Sequence, residues 1–310
     1  MSQARSTLEE RANARPPLDE DGPASGATPH THAEANGSGR VSVITAPRRL
    51  PSLDLPELWH FRELLGTLVW RDIVVKYKQT AIGVAWAIIQ PLLTMIVFTL
   101  VFGFVGGFDS KGIQYQVFSY SALLPWFYFA SSVSHSSTSL VANNSLVTKV
   151  YFPRVLLPLA GVTVPIIDFF IASSIMWGLL VWYDVTPSSA IVFAPAFLFM
   201  AFVAALGVGL LLSALTVRYR DVPYAIPFVL QSWMFLSGVI LPLSSFPEYA
   251  QWILALNPMT AVIDGFQWGI ISAPAPELGK VLVSVASTLV FLIVGLWYFR
   301  RSEPKFADTI

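Results

Sequence analysis

The 310-residue sequence contains no cysteine, and only 12% of its residues are Asp, Glu, Lys or Arg. Without cysteine the chain cannot form a disulfide, use a thiol nucleophile or bind a metal through sulfur. A soluble domain is about one quarter charged, whereas this chain is 55% hydrophobic and poor in charge. The composition therefore predicts a protein that is mostly embedded in a membrane.

The sequence also lacks the common motifs of ATP-dependent and metal-dependent chemistry. It has no G-x-x-x-x-G-K-[ST] phosphate loop, no H-E-x-x-H motif and no acidic pair placed for a water-exposed active site. We therefore expect no catalytic, cofactor-binding or metal-binding residue in this chain. If the protein carries out active transport, an ion gradient or another polypeptide must supply the energy.

Long runs without charge are what the sequence does contain. A helix needs about 20 apolar residues to cross the hydrocarbon core of a bilayer. Five uncharged runs are 19 to 37 residues long, and two shorter runs are separated only by Asp168. These runs predict an all-α membrane protein with six transmembrane helices, near residues 82–106, 117–140, 155–182, 190–216, 226–242 and 281–299.

The distribution of Lys and Arg predicts the orientation of these six helices. If the N-terminus is inside, only Lys111 and Lys280 lie in the outer segments. The inner segments then hold 13 basic residues: Arg48, Arg49, Arg62, Arg71, Lys76, Lys78, Lys149, Arg154, Arg218, Arg220, Arg300, Arg301 and Lys305. Basic residues favour the cytoplasmic side, so both termini are predicted to be cytoplasmic.

Two segments precede the transmembrane domain, which we place at residues 81–310. Residues 1–55 are rich in Pro, Ala, Gly, Ser and charge, which predicts a disordered cytoplasmic tail without the apolar core of a signal peptide. Residues 56–80 predict an amphipathic helix in the inner membrane interface, because apolar residues recur three and four positions apart at Leu58, Phe61, Leu65 and Leu68. The alternative is a basic flank that only fixes topology.

The segment between spans five and six, residues 241–280, is apolar and aromatic but broken by five prolines. Its pieces of about 10–14 residues are too short to span a bilayer and too apolar for a solvated loop. We expect re-entrant or interfacial helices on the outer side, where they could close an outward-facing mouth.

Asp168 is an acidic residue inside the third predicted span. A carboxylate at the centre of a membrane helix costs about 2.5–3.5 kcal/mol, so Asp168 must face other protein groups. Candidate partners are Ser173, Thr163 of a neighbouring copy, and basic or amide groups of other helices. The functional interpretation is a proton relay or a substrate contact, and the structural one, which we favour, is an Asp that holds helices together.

Six short motifs follow one another in the chain: GVAWAIIQP, LLPWFYF, NNSLVTKVYFPR, RYRD, LNPM and YFRRSEPKFADTI. From about Leu55 to Ile310 the sequence closely resembles the permease subunit of ABC-2 type polysaccharide exporters, which export O-antigen, teichoic acid or related cell-wall glycans. The resemblance implies a homodimer in the bacterial cytoplasmic (inner) membrane, in contact with membrane lipids and a lipid-linked glycan. It also implies a separate ATP-binding subunit that holds ATP and Mg²⁺, and no role for nucleic acid.

The resemblance implies that the cytoplasmic segment between spans two and three is a coupling helix seated in a groove of the ATPase subunit. Asn143 and Asn144 are favourable helix N-caps, and Phe152 with the following Pro would end the helix. We expect an apolar knob of Leu146, Val147 and Val150, with cations that pair with the partner or with anionic lipid. The residues of this coupling surface are Asn143, Leu146, Val147, Lys149, Val150, Phe152 and Arg154. The alternative is a loop that only sets topology.

Two further groups are candidates for function. The hairpin after span four places Arg218, Arg220 and Asp221 at the cytoplasmic membrane edge, where Asp221 can neutralise one Arg. Aromatic residues in spans one and two could form a ladder along which sugar rings slide: Trp86, Phe98, Phe102, Trp126, Phe127 and Phe129. Aromatic residues at this spacing are otherwise packing or membrane-interface residues.

Other functions remain open from the residues alone. One is an ABC-2 permease for small hydrophobic drugs or lipids. Another class comprises a membrane-embedded glycosyl or acyl transferase and a gradient-driven carrier. A transferase would need clustered Asp, Glu or His at an interface, and the sequence does not supply such a cluster.

Overall fold

All regular secondary structure in the described part of the chain is helical. The computed structural model describes residues 55–78, 83–105 and 114–306, so the predicted tail lies outside the described residues apart from its last position. The helices are α1 Leu55–His60, α2 Arg62–Lys78, α3 Trp86–Phe98, α4 Tyr115–Ala142, α5 Asn144–Lys149, α6 Leu156–Thr163, α7 Pro165–Trp182, α8 Ala194–Arg218, α9 Val222–Phe235, α10 Glu248–Leu254, α11 Pro258–Ile271 and α12 Leu278–Ser302. The all-helical prediction is confirmed for these residues.

Four helical segments in the described residues are long and apolar enough to cross a membrane. They have 22 to 30 residues each and are Gly83–Phe104, Leu156–Trp182, Ser189–Arg218 and Leu278–Lys305. They coincide with predicted spans one, three, four and six. The second of these segments consists of α6 and α7, which meet at Pro165.

The other two predicted spans take a different form. The 28-residue α4 is about 42 Å long. Its many serines lower its hydropathy, and it is not one of the four membrane-capable segments. The 14-residue α9 is only about 21 Å long, and it ends at Phe235 although the apolar run continues. Gly238, three residues later, has φ +77°, a left-handed conformation typical of the end of a helix. The fifth helix is therefore shorter than the predicted span 226–242.

The long helix α4 lies at the centre of the fold, where α6 and α8 pack directly against it. A Cβ atom added to Gly161 of α6 would lie 2.8 Å from the backbone of Ser136 in α4. One added to Gly209 of α8 would lie 2.3 Å from the Ser136 Oγ atom. Small residues thus allow three helices to approach one point closely, as is common between helices in membranes.

Helices α8 and α12 also contact each other through their backbones. A Cβ atom on Gly295 of α12 would lie only 2.0 Å from the carbonyl oxygen of Gly207 in α8. No side chain separates the two helices at this crossing. The first and last of the four membrane-capable segments are less buried than the two between them: 22% of the most apolar stretch is buried in Gly83–Phe104 and in Leu278–Lys305, against 33% and 39% in the other two.

One apolar stripe along α1 and α2 faces the protein core, whereas Trp59, Trp70 and Val75 are exposed. Leu68 is buried, and Leu58, Phe61 and Leu65 pack against the core beside it. Polar residues that lie between or just after the members of this stripe in the sequence are exposed: His60, Glu63, Thr67 and Arg71. The predicted stripe thus covers protein, and the location of this helix in the membrane interface stays a prediction.

Candidate functional site

The predicted coupling surface begins at Asn143, which joins α4 to α5. The backbone carbonyl of Asn143 accepts hydrogen bonds from the N–H groups of Leu146 and Val147, at 3.0 and 3.1 Å, and so starts the helix. Its side chain does not cap that helix. Instead Nδ2 donates to the Ser139 carbonyl at 2.9 Å, and Oδ1 accepts from Nη2 of Arg71 at 2.7 Å. Asn143 therefore ties the start of α5 to both α4 and α2.

Val147 does not belong to an outward-facing knob. Its side chain is 2% exposed and lies in the core, and Leu146 packs against the core beside it. A helix of six residues that lies on its own protein must bury one side, and these two residues form that side. The prediction that Leu146, Val147 and Val150 point together at a partner is therefore wrong at Val147, and only Val150 is exposed, at 53%.

The exposed face of the segment is mostly polar and ends in an aromatic ring. Its exposed residues are Asn144, Ser145, Thr148, Lys149, Val150 and Tyr151. Tyr151 is the most exposed of the large apolar side chains here, at 89%, and the buried Phe152 anchors the chain immediately after it. The sequence interpretation missed Tyr151, although an aromatic residue between two cations in a short connecting segment was a usable signal. Whether this face binds a partner stays a prediction.

The two cations of the segment lie in different environments. Arg154 donates from Nη1 to the backbone carbonyl of Glu303. The carboxylate of Glu303 pairs with Arg300 at 3.0 Å. Arg154 therefore joins the segment to the end of α12, and whether it also contacts a partner stays a prediction. Lys149 is exposed and makes no ion pair or hydrogen bond with the residues that the structure describes.

The hairpin between α8 and α9 contains the three residues predicted for the cytoplasmic membrane edge. Arg218, Arg220 and Asp221 are all exposed. The guanidinium of Arg218 lies over the ring of Tyr219, 5.2 Å from its centroid. Asp221 occupies the N-cap position of α9 without a side-chain hydrogen bond to the helix. Within the described ranges it forms no ion pair with Arg218 or Arg220, so the predicted neutralisation does not occur.

Asp168 receives two donors from the end of α2. The ammonium group of Lys76 pairs with one carboxylate oxygen, and the hydroxyl of Tyr77 donates to the other. Burial raises the pKa of Tyr77, and the hydrogen bond and the charge of Asp168 raise it further, so Tyr77 stays a donor. Ser173, a predicted partner, donates to the carbonyl of Phe169 instead. The sequence indicated that a partner was required but did not identify Lys76 or Tyr77.

The predicted aromatic ladder does not lie along one exposed face. Phe98, Trp126 and Phe129 are buried in the core, while Phe102 and Phe127 are half-buried and Trp86 is 53% exposed. Contacts are pairwise, with ring centroids 5.8 Å apart in Phe98–Phe102 and 5.6 Å apart in Trp126–Phe129. Burial at three positions indicates packing within one copy, and a role of these rings in transport stays a prediction.

One face of α4 is both polar and accessible. Ser131, Ser134, His135 and Thr138 recur at spacings of three and four and are exposed or half-buried. His135 lies with Nδ1 2.8 Å from the carbonyl oxygen of Ser131. Among the described residues no cluster of His, Asp and Glu could hold a metal ion.

Comparison with protein families matches residues 63–271 to the family described as ABC-2 type transporter. The O-antigen export system permease protein RfbA of Myxococcus xanthus is 27% identical over 256 residues, which cover 82% of this chain and 98% of that protein. The polysialic acid transport protein KpsM of Escherichia coli is 23% identical over 244 residues, 76% of this chain and 92% of that protein. The capsule polysaccharide export inner-membrane protein CtrC of Neisseria meningitidis is 26% identical over 245 residues, which cover 76% of this chain and 89% of that protein.

Proposed function

The chain belongs to the ABC-2 type transporter family, and we propose that it is the transmembrane permease of an ATP-driven exporter of a lipid-linked polysaccharide. The observation that carries this proposal is the match to relatives over most of their length. These relatives are named as O-antigen, polysialic acid and capsule export proteins. A function in the inner membrane of a bacterium fits the four membrane-capable helices.

The permease does not hydrolyse ATP, and a separate ATP-binding subunit carries ATP and Mg²⁺. The chain meets that subunit through the exposed face of the segment around α5. Two features support this surface: Tyr151 and Val150 are apolar side chains exposed to water, and the cation of Lys149 lies beside them. Exposed aromatic residues flanked by polar ones are typical anchors of protein interfaces.

Six spans complete the proposed topology, with both termini in the cytoplasm. Spans two and five are α4 and α9, the latter extended by the residues after Phe235. The helix pair α1–α2 lies at the inner membrane interface, and α10 and α11 enter the membrane from the outer side. The excess of 13 inner over 2 outer basic residues supports this orientation.

A second copy of the chain completes the transport path. Ser131, Ser134, His135 and Thr138 form an accessible polar face on α4, and polar groups of membrane helices are costly in contact with lipid. We place this face towards a second copy and the hydrated path between the two. The hydroxyl groups can exchange hydrogen bonds with sugar hydroxyls as the glycan passes.

The test is complementation together with ATP hydrolysis. In a strain that lacks the gene for this chain, expression of the chain should restore the surface glycan only when an ATP-binding subunit is also present. The purified chain alone should hydrolyse no more ATP than buffer does. ATP turnover by the chain itself, or restoration of the glycan without any ATPase subunit, would overturn the proposal.

A further inference from the structure

A cavity of about 280 Å³ lies among α11, the start of α12 and the loops that flank them. Its charged and amide side chains are Asp264 and Gln267 of α11, Gln251 of α10, and Glu277 and Lys280 at the start of α12. The volume is near the lower end of the range of about 300–1,000 Å³ for small-molecule sites. None of the residues of the coupling surface lines this cavity, so it is a separate feature of the chain.

The wall formed by α11 presents unused hydrogen-bond acceptors. Asp264 and Gln267 are three residues apart and therefore share one side of the helix. The amide nitrogen of Gln267 lies 3.5 Å from the carbonyl oxygen of Phe118, which leaves its amide oxygen available. The Asp264 carboxylate has no hydrogen-bond or ion-pair partner among the described residues. Asp264 is half-buried, and a carboxylate there is unfavourable unless water or a ligand satisfies it.

The start of α12 contributes an ammonium group to the lining. Lys280 Nζ lies 2.5 Å from a carboxylate oxygen of Glu277 and 2.7 Å from Oε1 of Gln251. The amide nitrogen of Gln251 donates to the carbonyl of Phe246 at 2.7 Å, so its orientation is set. An ammonium has three N–H donors, and one of those on Lys280 has no hydrogen-bond acceptor in the described ranges.

The lining also has aromatic and apolar surface. Phe118 lines the cavity together with Ala261, Ile271 and Val281. The ring of Trp252 lies beside Lys280, whose Nζ is 5.7 Å from the ring centroid. A sugar ring has polar hydroxyl edges and C–H faces, and aromatic rings provide the apolar surface on which such faces can pack.

We propose that this cavity binds one uncharged sugar unit of the transported glycan. The proposal rests on the proposed function, which brings a glycan to this side of the protein. Asp264 and Gln267 accept hydrogen bonds from ring hydroxyls, and Lys280 donates to a hydroxyl or ring oxygen. With two carboxyl groups and one ammonium group the lining has no excess positive charge, so it disfavours sugars that carry phosphate or carboxylate.

Saturation-transfer NMR on the purified full chain in lipid nanodiscs, free of sugar-based detergent, tests this assignment. The probes are methyl α-glucopyranoside, methyl α-mannopyranoside and methyl α-galactopyranoside, compared with methyl glucuronide and ethanolamine. We expect saturation transfer to at least one uncharged glycoside and none to the glucuronide. Asp264→Leu and Lys280→Met should each weaken that binding at least tenfold. Glu248→Leu, which removes an exposed carboxylate outside the cavity, should leave it unchanged.

Several results would overturn the assignment. One is the absence of saturation transfer to every uncharged glycoside. Another is equal transfer in the wild type and in both folded cavity variants. The third is tighter binding of ethanolamine than of any glycoside. Thermal unfolding establishes whether each variant is folded. If one cavity variant does not fold, the other is compared with the wild type by itself. Because binding is measured without an ATPase subunit, it is independent of export. Failure of the wild-type chain to restore the surface glycan overturns the proposed function, whereas restoration without glycoside binding overturns only the cavity assignment.

Discussion

Lys76 and Asp168, 92 positions apart in the sequence, form an ion pair that joins the end of α2 to the first turn of α7. The hydroxyl of Tyr77 donates a hydrogen bond to the second oxygen of the same carboxylate. This arrangement explains how an apolar span can contain an acidic residue, since the charge is compensated and hydrogen-bonded where it lies. It also connects α2, which contacts Asn143 through Arg71, to the interior of the third span.

Removal of either partner of this pair should destabilise the protein. We expect Asp168→Leu to cost about 2 kcal/mol, because the partly buried ion pair with Lys76 and the hydrogen bond from Tyr77 would both be lost. Lys76→Met should have an effect of similar size, and the double variant should recover most of the loss. Thermal unfolding of the purified chain in nanodiscs measures all three. If the losses of the two single variants simply add in the double variant, the pair does not act as a unit.

Tyr151→Asp should prevent the ATPase subunit from co-purifying while leaving thermal unfolding unchanged. The side chain is 89% exposed, so a charge there costs nothing in the free permease but must be desolvated at an interface. Tyr249→Asp is the matched control, because Tyr249 is also an exposed Tyr, at 72%, but lies on α10. Normal co-elution of the Tyr151 variant would exclude this face as the docking surface.

Val147→Asp should act differently, through the fold itself. Val147 is 2% exposed, and burial of an unpaired carboxylate costs at least about 2 kcal/mol. We expect a lower yield and a lower melting temperature even without any ATPase subunit. A variant with wild-type thermal stability and lost co-elution would instead place Val147 at the interface, against the structure.

Gly295→Ala should prevent correct packing of α12 on α8. The added methyl group would lie 2.0 Å from the Gly207 carbonyl oxygen, so backbones must separate, at a cost of about 1–3 kcal/mol or more. Gly178→Ala is the matched control, since nothing lies within 4 Å of its added Cβ. The control should be neutral or slightly stabilising because Ala favours the helix. Similar melting temperatures for the two variants would contradict the close crossing.

The stability of the protein should depend on pH through Asp264. Burial raises the pKa of Asp264 to about 7, although Lys280 lowers it. Between the ordinary value of 3.8 and about 7 the folded chain holds a proton that the unfolded chain releases, so stability should fall as pH rises through this window. Asp264→Asn should reduce that slope, whereas Asp184→Asn, at an exposed loop position, should keep it. Melting temperatures from about pH 4 to about pH 8 test this, and identical profiles for wild type and Asp264→Asn would refute it.

Periodicity and hydropathy predicted the parts of the fold that depend on local sequence. The spacing of Leu58, Phe61, Leu65 and Leu68 identified the side of α1 and α2 that packs on the core, because helical geometry puts such residues on one face. The end of α9 could not be predicted in this way. The uncharged run continues to Pro247, so no charged residue marks the end of the helix at Phe235, and the turn that follows contains Gly238 in a left-handed conformation.

The candidate sites depend on long-range contacts, which the sequence does not reveal. The cost of a charge in lipid predicted that Asp168 has a partner, but several basic residues were available and Lys76 is 92 positions away. Leu146, Val147 and Val150 are all apolar, so composition alone cannot decide which of them covers the protein and which faces outward. Asp264 and Lys280 face one cavity only because α11 and α12 fold together.

The glycine and serine contacts among α4, α6, α8 and α12 have a consequence for motion. Where backbones touch directly, as at Gly207 and Gly295, there is no layer of side chains that can slide or exchange rotamers. We therefore expect these four helices to move together as one rigid body. We expect any bending to occur outside this body, at the helix boundaries at Pro165 and after Phe235.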